Sequence, residues 1–272
     1  MKKLVLVDLD MTLIDRGYSL TLPPEQLIAA IVSAQAKGVV IGLNSDSNFP
    51  TLEAWHDRLG LNGPIISERG SRIWLPGSLD QIETSSAAAR LFPDLKEDFI
   101  RRLPSVCPII LRGDANKLQA EYRPCVGEKR VIIINDYRER SLSFFARQAG
   151  PEGKLVIDNG LLDQAASLLR NLAQSRYPLI WRENDEDNNP DYGIYILHTK
   201  SSQKRWAVSE LLDRWCLDNA WMVGDSLPDF IDDERVLHVA VANAKEEFKR
   251  RAAVTTKEAL TGGVAEFLWS FI

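Results

Sequence analysis

The sequence has little that would mark a secreted, metal-stapled or membrane-bound protein. It contains three cysteines, Cys107, Cys125 and Cys216, and no CxxC pair. An odd count without metal-ligand spacing argues against a disulfide framework and a zinc site, and fits a reducing, cytoplasmic setting. No apolar run approaches the roughly 18 to 20 residues that a membrane helix needs. The opening Met1-Lys2-Lys3 is basic, but Asp8 and Asp10 soon interrupt the apolar stretch behind it, and no small-residue cleavage site follows. A buried first strand is expected there, not a leader. Charge of one sign is not concentrated either. The formal net charge is −5, with Lys and Arg spread along the chain, which argues against a polybasic membrane anchor and a dedicated nucleic-acid surface. His56, His198 and His238 are scattered, without a Ser-His-Asp hydrolase signature.

What the chain does have is alternation of strand and helix. Leu4 to Val7 is short and wholly apolar, as expected of a parallel strand covered on both faces. A helix begins at Pro23-Pro24-Glu25 and ends at Gly38, Val39 to Leu43 is a second strand, Thr51 to Leu59 a second helix, and Pro64 to Ile66 a third strand. From Lys204 the rhythm returns: helix to Trp215, strand Ala220 to Val223, strand Val236 to Val241, and a last helix after Gly262-Gly263. The two flanks read as one doubly wound, Rossmann-like parallel-sheet α/β core, residues 1–78 and 199–272.

The middle, residues 79–198, reads as an inserted α+β unit. A helix is expected over Ser86 to Leu103, a strand at Val131 to Ile134, a helix from near Arg138, a strand at Leu155 to Ile157 and a helix through Leu169. Tyr177 to Trp181 and Tyr192 to Leu197 look like two strands of a hairpin, joined by the turn-rich run from Asn184 to Asp191. Arg112, Lys117, Arg123, Lys129 and Arg130 are candidate anion-binding groups here, with solvated surface charge as the plainer reading.

The chemistry concentrates where core strands end. Asp8-Leu9-Asp10-Met11-Thr12 follows the first strand, and ligands of doubly wound sheets bind at carboxyl ends of strands. Gly224-Asp225-Ser226-Leu227-Pro228-Asp229 brings two more carboxylates to the end of another strand. Converging carboxylates repel one another and a divalent cation is the usual remedy; oxygen donors without His or Cys favour magnesium. Ser45 ends the second strand and offers a hydroxyl, and Lys204, preferred over Lys200, offers a fixed positive charge. Such a set suits binding and transfer of a phosphoryl group.

The order Asp8-x-Asp10-x-Thr12, Ser45, Lys204, Gly224-Asp225-x-x-x-Asp229 resembles the four motifs of the haloacid dehalogenase superfamily. Ile66 to Ser71, Lys204 to Leu212, Val241 to Ala244 and Gly262 to Ala265 are similar to signatures of its Cof-type phosphatase branch, in which a large α/β cap is inserted between the second and third motifs. The resemblance implies a magnesium-dependent hydrolase of small phosphorylated metabolites, with a weak preference for sugar or polyol phosphates. Asp8 would be the nucleophile, forming an aspartyl-phosphate, and Asp10 the general acid and base. Thr12, Ser45 and Lys204 would bind the phosphoryl group. Asp8, the backbone carbonyl of Asp10 and Asp225 would hold magnesium, with Asp229 orienting Lys204 or a metal-bound water. The inserted unit would be a substrate-selecting lid.

This chain departs from the pattern at Met11, where glycine is frequent, at Asp46-Ser47 in place of Gly-Arg, at Arg69 before Gly70 in place of asparagine, and at Pro228 in place of asparagine. A phosphotransferase or mutase of the same fold, and a non-catalytic metabolite-binding module, are the alternatives. A monomer or weak homo-oligomer is expected, with no nucleic-acid or membrane partner.

Overall fold

The computed structural model describes residues 3–77, 81–83, 86–124 and 130–271. Cys125 and Lys129 lie outside these residues. In chain order the elements begin with β1 (Lys3–Val7), α1 (Pro24–Ala36), β2 (Val39–Asn44), α2 (Phe49–Leu59), β3 (Ile65–Ser67), β4 (Arg72–Trp74) and β5 (Gln81–Glu83). There follow α3 (Phe92–Arg102), β6 (Ile109–Gly113), α4 (Ala115–Glu121), β7 (Arg130–Asn135), β8 (Leu142–Ala149), β9 (Leu155–Ile157), α5 (Asn159–Arg176), α6 (Pro178–Glu183), β10 (Asn184–Asn189) and β11 (Ile194–Thr199). The chain closes with α7 (Lys204–Trp215), β12 (Ala220–Gly224), β13 (Val236–Ala240), α8 (Glu246–Lys249), β14 (Val254–Thr255) and α9 (Leu260–Trp269).

Two compact units result, Met1–Thr84 with Ser202–Ile272, and Ser85–Ser201. The first division falls past the position read from sequence because β5 pairs antiparallel with β4 and so completes the first sheet. That sheet runs β14-β13-β12-β1-β2-β3-β4-β5, parallel as far as β3 and antiparallel beyond it. β1 lies between β2 and β12, so the winding reverses beside it, and the crevice of such a sheet opens at the carboxyl end of that strand. Alternation explains why β1 is apolar throughout. Val5 and Val7 pack among Leu27, Ile31 and Ile41, whereas Leu4 and Leu6 pack among Ile66, Leu211 and Leu212 on the opposite face. Each such side chain contributes about 1.5–3 kcal/mol when fully buried.

Local signals set the helix ends. Pro24 opens α1, where its missing N–H costs nothing, and Asn48 caps α2 by accepting from Thr51 N at 3.0 Å. Gly60, at φ 64°, ends α2 in the left-handed conformation. α9 begins at Leu260 and includes Gly262 and Gly263. A Cβ on Gly263 would come within 2.6 Å of Thr256 Oγ1, so the close approach of this turn requires glycine.

The second unit is built on the sheet β10-β11-β8-β7-β6, with β9 paired to β8. β6 and β7 are parallel, and the other pairs are antiparallel. α3 and α5 cover one face through Phe99, Leu162 and Leu169 against Ile132, Ile134 and Phe144. Three expectations are corrected here. The segment after Arg138 is the strand β8 rather than a helix, with Leu142, Phe144 and Ala146 facing that core at period two. Tyr177 to Trp181 is not a strand: Pro178 starts α6, again at a position where proline suits a helix. Of the run expected as the hairpin turn, Asn184 to Asp191, the residues Asn184–Asn189 form the strand β10, held at the sheet edge by β11. Arg112 is engaged by Glu97 and Asp136, and Arg130 by Asp158, so these two cations are already satisfied within the unit. No described helix is long and apolar enough to cross a membrane.

Candidate active site

The end of β1 delivers Asp8, whose backbone N–H continues the parallel ladder by donating to Val223 O at 3.0 Å. Lys204 is the first residue of α7. Its Nζ donates to Asp8 Oδ1 at 2.6 Å and to Asp229 Oδ1 at 2.6 Å, and all three side chains are buried. Lys200 takes no part in this cluster; its backbone N–H donates to Glu183 O.

Asp229 is fixed from both sides. Its Oδ2 accepts from Asp225 N at 3.0 Å and from Ser226 N at 3.2 Å, and Pro228 fits the short 3-10 turn Leu227–Asp229 that carries it. Gly224 makes room for the carboxylate, because a Cβ there would lie 2.6 Å from Asp229 Cγ. The two oxygens of Asp229 are thus committed to the lysine and to the backbone of the β12 loop.

Charge governs the cluster. Burial works against the ammonium of Lys204, but Asp229 and Asp8 outweigh it and hold the lysine well above its ordinary range. Burial, then repulsion from Asp229, raises Asp8 well above the usual carboxylate value despite the lysine. The same causes in the same order push Asp225 up to about 6. One cation among three carboxylates leaves an excess of negative charge. Asp8, Asp225 and Asp229 offer one oxygen each, all within 4.8 Å of one another. An all-oxygen donor set with surplus negative charge fits a hard divalent cation. Since Asp229 is already engaged, Asp8 and Asp225 are the better ligands.

Asp10 lies in a loop tightened by its own backbone: Leu13 N and Ile14 N both donate to Leu9 O, and Met11 N to Ile14 O. Met11 takes φ 62°, a left-handed conformation that glycine adopts without cost, and nothing in the structure explains the methionine there. Asn243 Nδ2 donates to Met11 O at 2.8 Å while its Oδ1 accepts from Leu260 N, and Thr261 Oγ1 donates to Leu13 O at 2.6 Å. The closing signatures therefore serve to hold the Asp8–Ile14 loop. Thr12 is fully buried, and its hydroxyl has no partner among the described residues. Ser45 continues the β2 ladder by donating its backbone N–H to Ile66 O, and its Oγ accepts from Ser47 N at 3.2 Å.

Two contributors to the geometry of the site were given no role from sequence. Ser47 donates its hydroxyl to Asp10 Oδ2 at 3.0 Å. The turn Glu68-Arg69-Gly70 runs through consecutive left-handed residues, at φ 47°, 59° and 92°, and touches both sides of the site. Arg69 N donates to Ser45 O, whereas Gly70 packs against Gln203 and Lys204 at the start of α7. The signal for the turn was the Ile66 to Ser71 similarity; nothing in composition or spacing marked Ser47. His56 and His238 serve structure, bonded to Gly63 O and to Ile231 N.

No protein-family model matches the chain. A phosphoglycolate phosphatase of Metallosphaera sedula is 37% identical over 272 residues, covering 98% of this chain and 98% of the relative. A haloacid dehalogenase-like hydrolase from Bacteroides thetaiotaomicron superposes with a TM-score of 0.68 at 16% identity, covering 100% of both chains. A subclass IIB sugar phosphatase of the same superfamily superposes with a TM-score of 0.59 at 15% identity, again covering 100% of both.

Proposed function

Because the chain belongs to the family of the phosphoglycolate phosphatase it matches at 37% identity and has the fold of a haloacid dehalogenase-like hydrolase, we propose that it is a Cof-type phosphoric monoester hydrolase that dephosphorylates a small phosphorylated acid through Asp8. The observation that carries this reading is the buried Asp8–Lys204–Asp229 arrangement with Asp225 beside it. The name of the relative makes 2-phosphoglycolate the first substrate to test. The sugar phosphatase among the solved folds keeps a sugar phosphate as the second reading.

An oxygen of Asp8 attacks phosphorus as the bond to the leaving oxygen breaks, and Asp10 gives that oxygen a proton. Water then attacks the aspartyl-phosphate, Asp10 takes a proton from it, and phosphate leaves with Asp8 restored. Lys204 and Ser45 hold the phosphoryl oxygens, with Thr12 in support, while Asp229 keeps Lys204 in place. Magnesium, held by Asp8, Asp225 and the backbone carbonyl of Asp10, would supply positive charge to the phosphoryl group and keep Asp8 ionised. The inserted unit is the substrate-selecting cap.

A panel of 2-phosphoglycolate, sugar phosphates and polyol phosphates, with magnesium present, tests this. Free phosphate released fastest from 2-phosphoglycolate supports the acid, and preference for a hexose phosphate moves the assignment to sugars. Phosphate recovered on another hydroxyl, with little free phosphate, replaces hydrolysis by transfer.

A further inference from the structure

Ser47, in the segment between β2 and α2, faces the residue proposed as the acid. Its Oγ donates to Asp10 Oδ2 at 3.0 Å. The serine backbone is pinned on both sides, since its N–H donates to Ser45 Oγ at 3.2 Å and its carbonyl accepts from Glu68 N at 3.0 Å. The Glu68 turn is braced in its own right. Ser71 Oγ donates to Glu68 O at 2.8 Å and lies 2.8 Å from Ser202 Oγ, just before α7. These bonds fix where the Ser47 backbone stands, and the contact with Asp10 gives its half-buried hydroxyl a direction.

That direction bears on how a carboxyl group donates a proton. In a neutral carboxyl the carbonyl oxygen is the better acceptor, and the other oxygen carries the hydrogen. A hydroxyl donating to Oδ2 favours Oδ2 as the carbonyl oxygen and places the acid proton on Oδ1. We propose that Ser47 is a positioning residue, setting the orientation of Asp10 and selecting the oxygen from which the leaving group takes its proton. The inference rests on the reading of Asp10 as general acid.

The test compares two substrates at one pH, using kcat/KM, which reports the step in which the leaving group departs. Nitrophenolate leaves p-nitrophenyl phosphate without needing a proton; an alkyl phosphate needs one. The alkyl probe is whichever of 2-phosphoglycolate and the sugar phosphates the wild type turns over fastest. Ser47→Ala is expected to lower kcat/KM about tenfold with the alkyl phosphate and less than about twofold with p-nitrophenyl phosphate. Ser47→Cys, similar in size but a weak donor, gives the same selective loss, and Ser47→Thr restores most of the alkyl activity. Equal losses on both substrates, or none with the alkyl phosphate, overturn the proposal. Asp10→Asn separates the two levels of the argument. If it shows the selective loss and the Ser47 variants do not, only the role of Ser47 falls. If it shows no selectivity, the reading of Asp10 as acid falls, and the proposal with it.

Discussion

Gly70 lies so close to the start of α7 that a Cβ on it would come within 2.6 Å of the Gln203 carbonyl carbon and 3.0 Å of Lys204 N. Lys204 is thus seated against a glycine with φ 92° that is remote from it in sequence. α7 has no side-chain N-cap, so this contact takes part in fixing its first turn. Gly70→Ala must either push α7 away or abandon the left-handed backbone, at a cost of about 1–3 kcal/mol. The expected outcome is a melting temperature lower by several degrees, with kcat reduced more than KM is raised. Thermal denaturation alongside steady-state kinetics checks both.

Lys204→Met removes the cation shared by Asp8 and Asp229 and leaves two buried carboxylates facing each other. Removal of one partner from such a group costs about 3–5 kcal/mol, and loss of a fixed charge at a phosphoryl site lowers kcat roughly 10²- to 10³-fold. Stability should recover in part on acidification, as the carboxyls take up protons. Lys204→Arg does not rescue activity, since the planar guanidinium does not fit a site built around a compact ammonium. Melting curves at pH 5 and 7.5, with kcat at the higher pH, test this.

Asp225 gives a prediction with a definite sign. Its carboxyl is raised from 3.8 to about 6, by burial and then by Asp229. A carboxyl that holds its proton more tightly folded than unfolded weakens the fold once that proton is lost. The penalty is absent below the ordinary value, grows between about pH 4 and 6 and is complete above that. Asp225→Asn therefore stabilises the metal-free protein at pH 7.5, on the order of 2 kcal/mol, and the gain fades towards pH 4. The same variant loses metal-dependent phosphate release. Melting in EDTA across this pH range, set beside activity, measures both effects.

The parts of the fold that were legible in sequence are those where local pattern and tertiary role agree. β1 is buried on both faces and therefore wholly apolar, and Asp8, Asp10, Asp225 and Asp229 fall where core strands end. The second unit was less legible because tertiary context overrides propensity there. Asn184 to Asn189 has the composition of a turn, yet an edge strand tolerates polar residues when its neighbour supplies the ladder. Pro178 looked like punctuation between strands and instead opens α6. The contact of Ser47 with Asp10 was not legible because it depends on one rotamer reaching across 37 positions of sequence.

The central claim is that Asp8 is the nucleophile of a metal-assisted phosphatase, and phosphate release from 2-phosphoglycolate by wild type and Asp8→Asn, each with magnesium or EDTA, tests it most directly. The account predicts release by the wild type with magnesium, none in EDTA, and none from a folded Asp8→Asn under either condition. Phosphate release that survives in Asp8→Asn would contradict it.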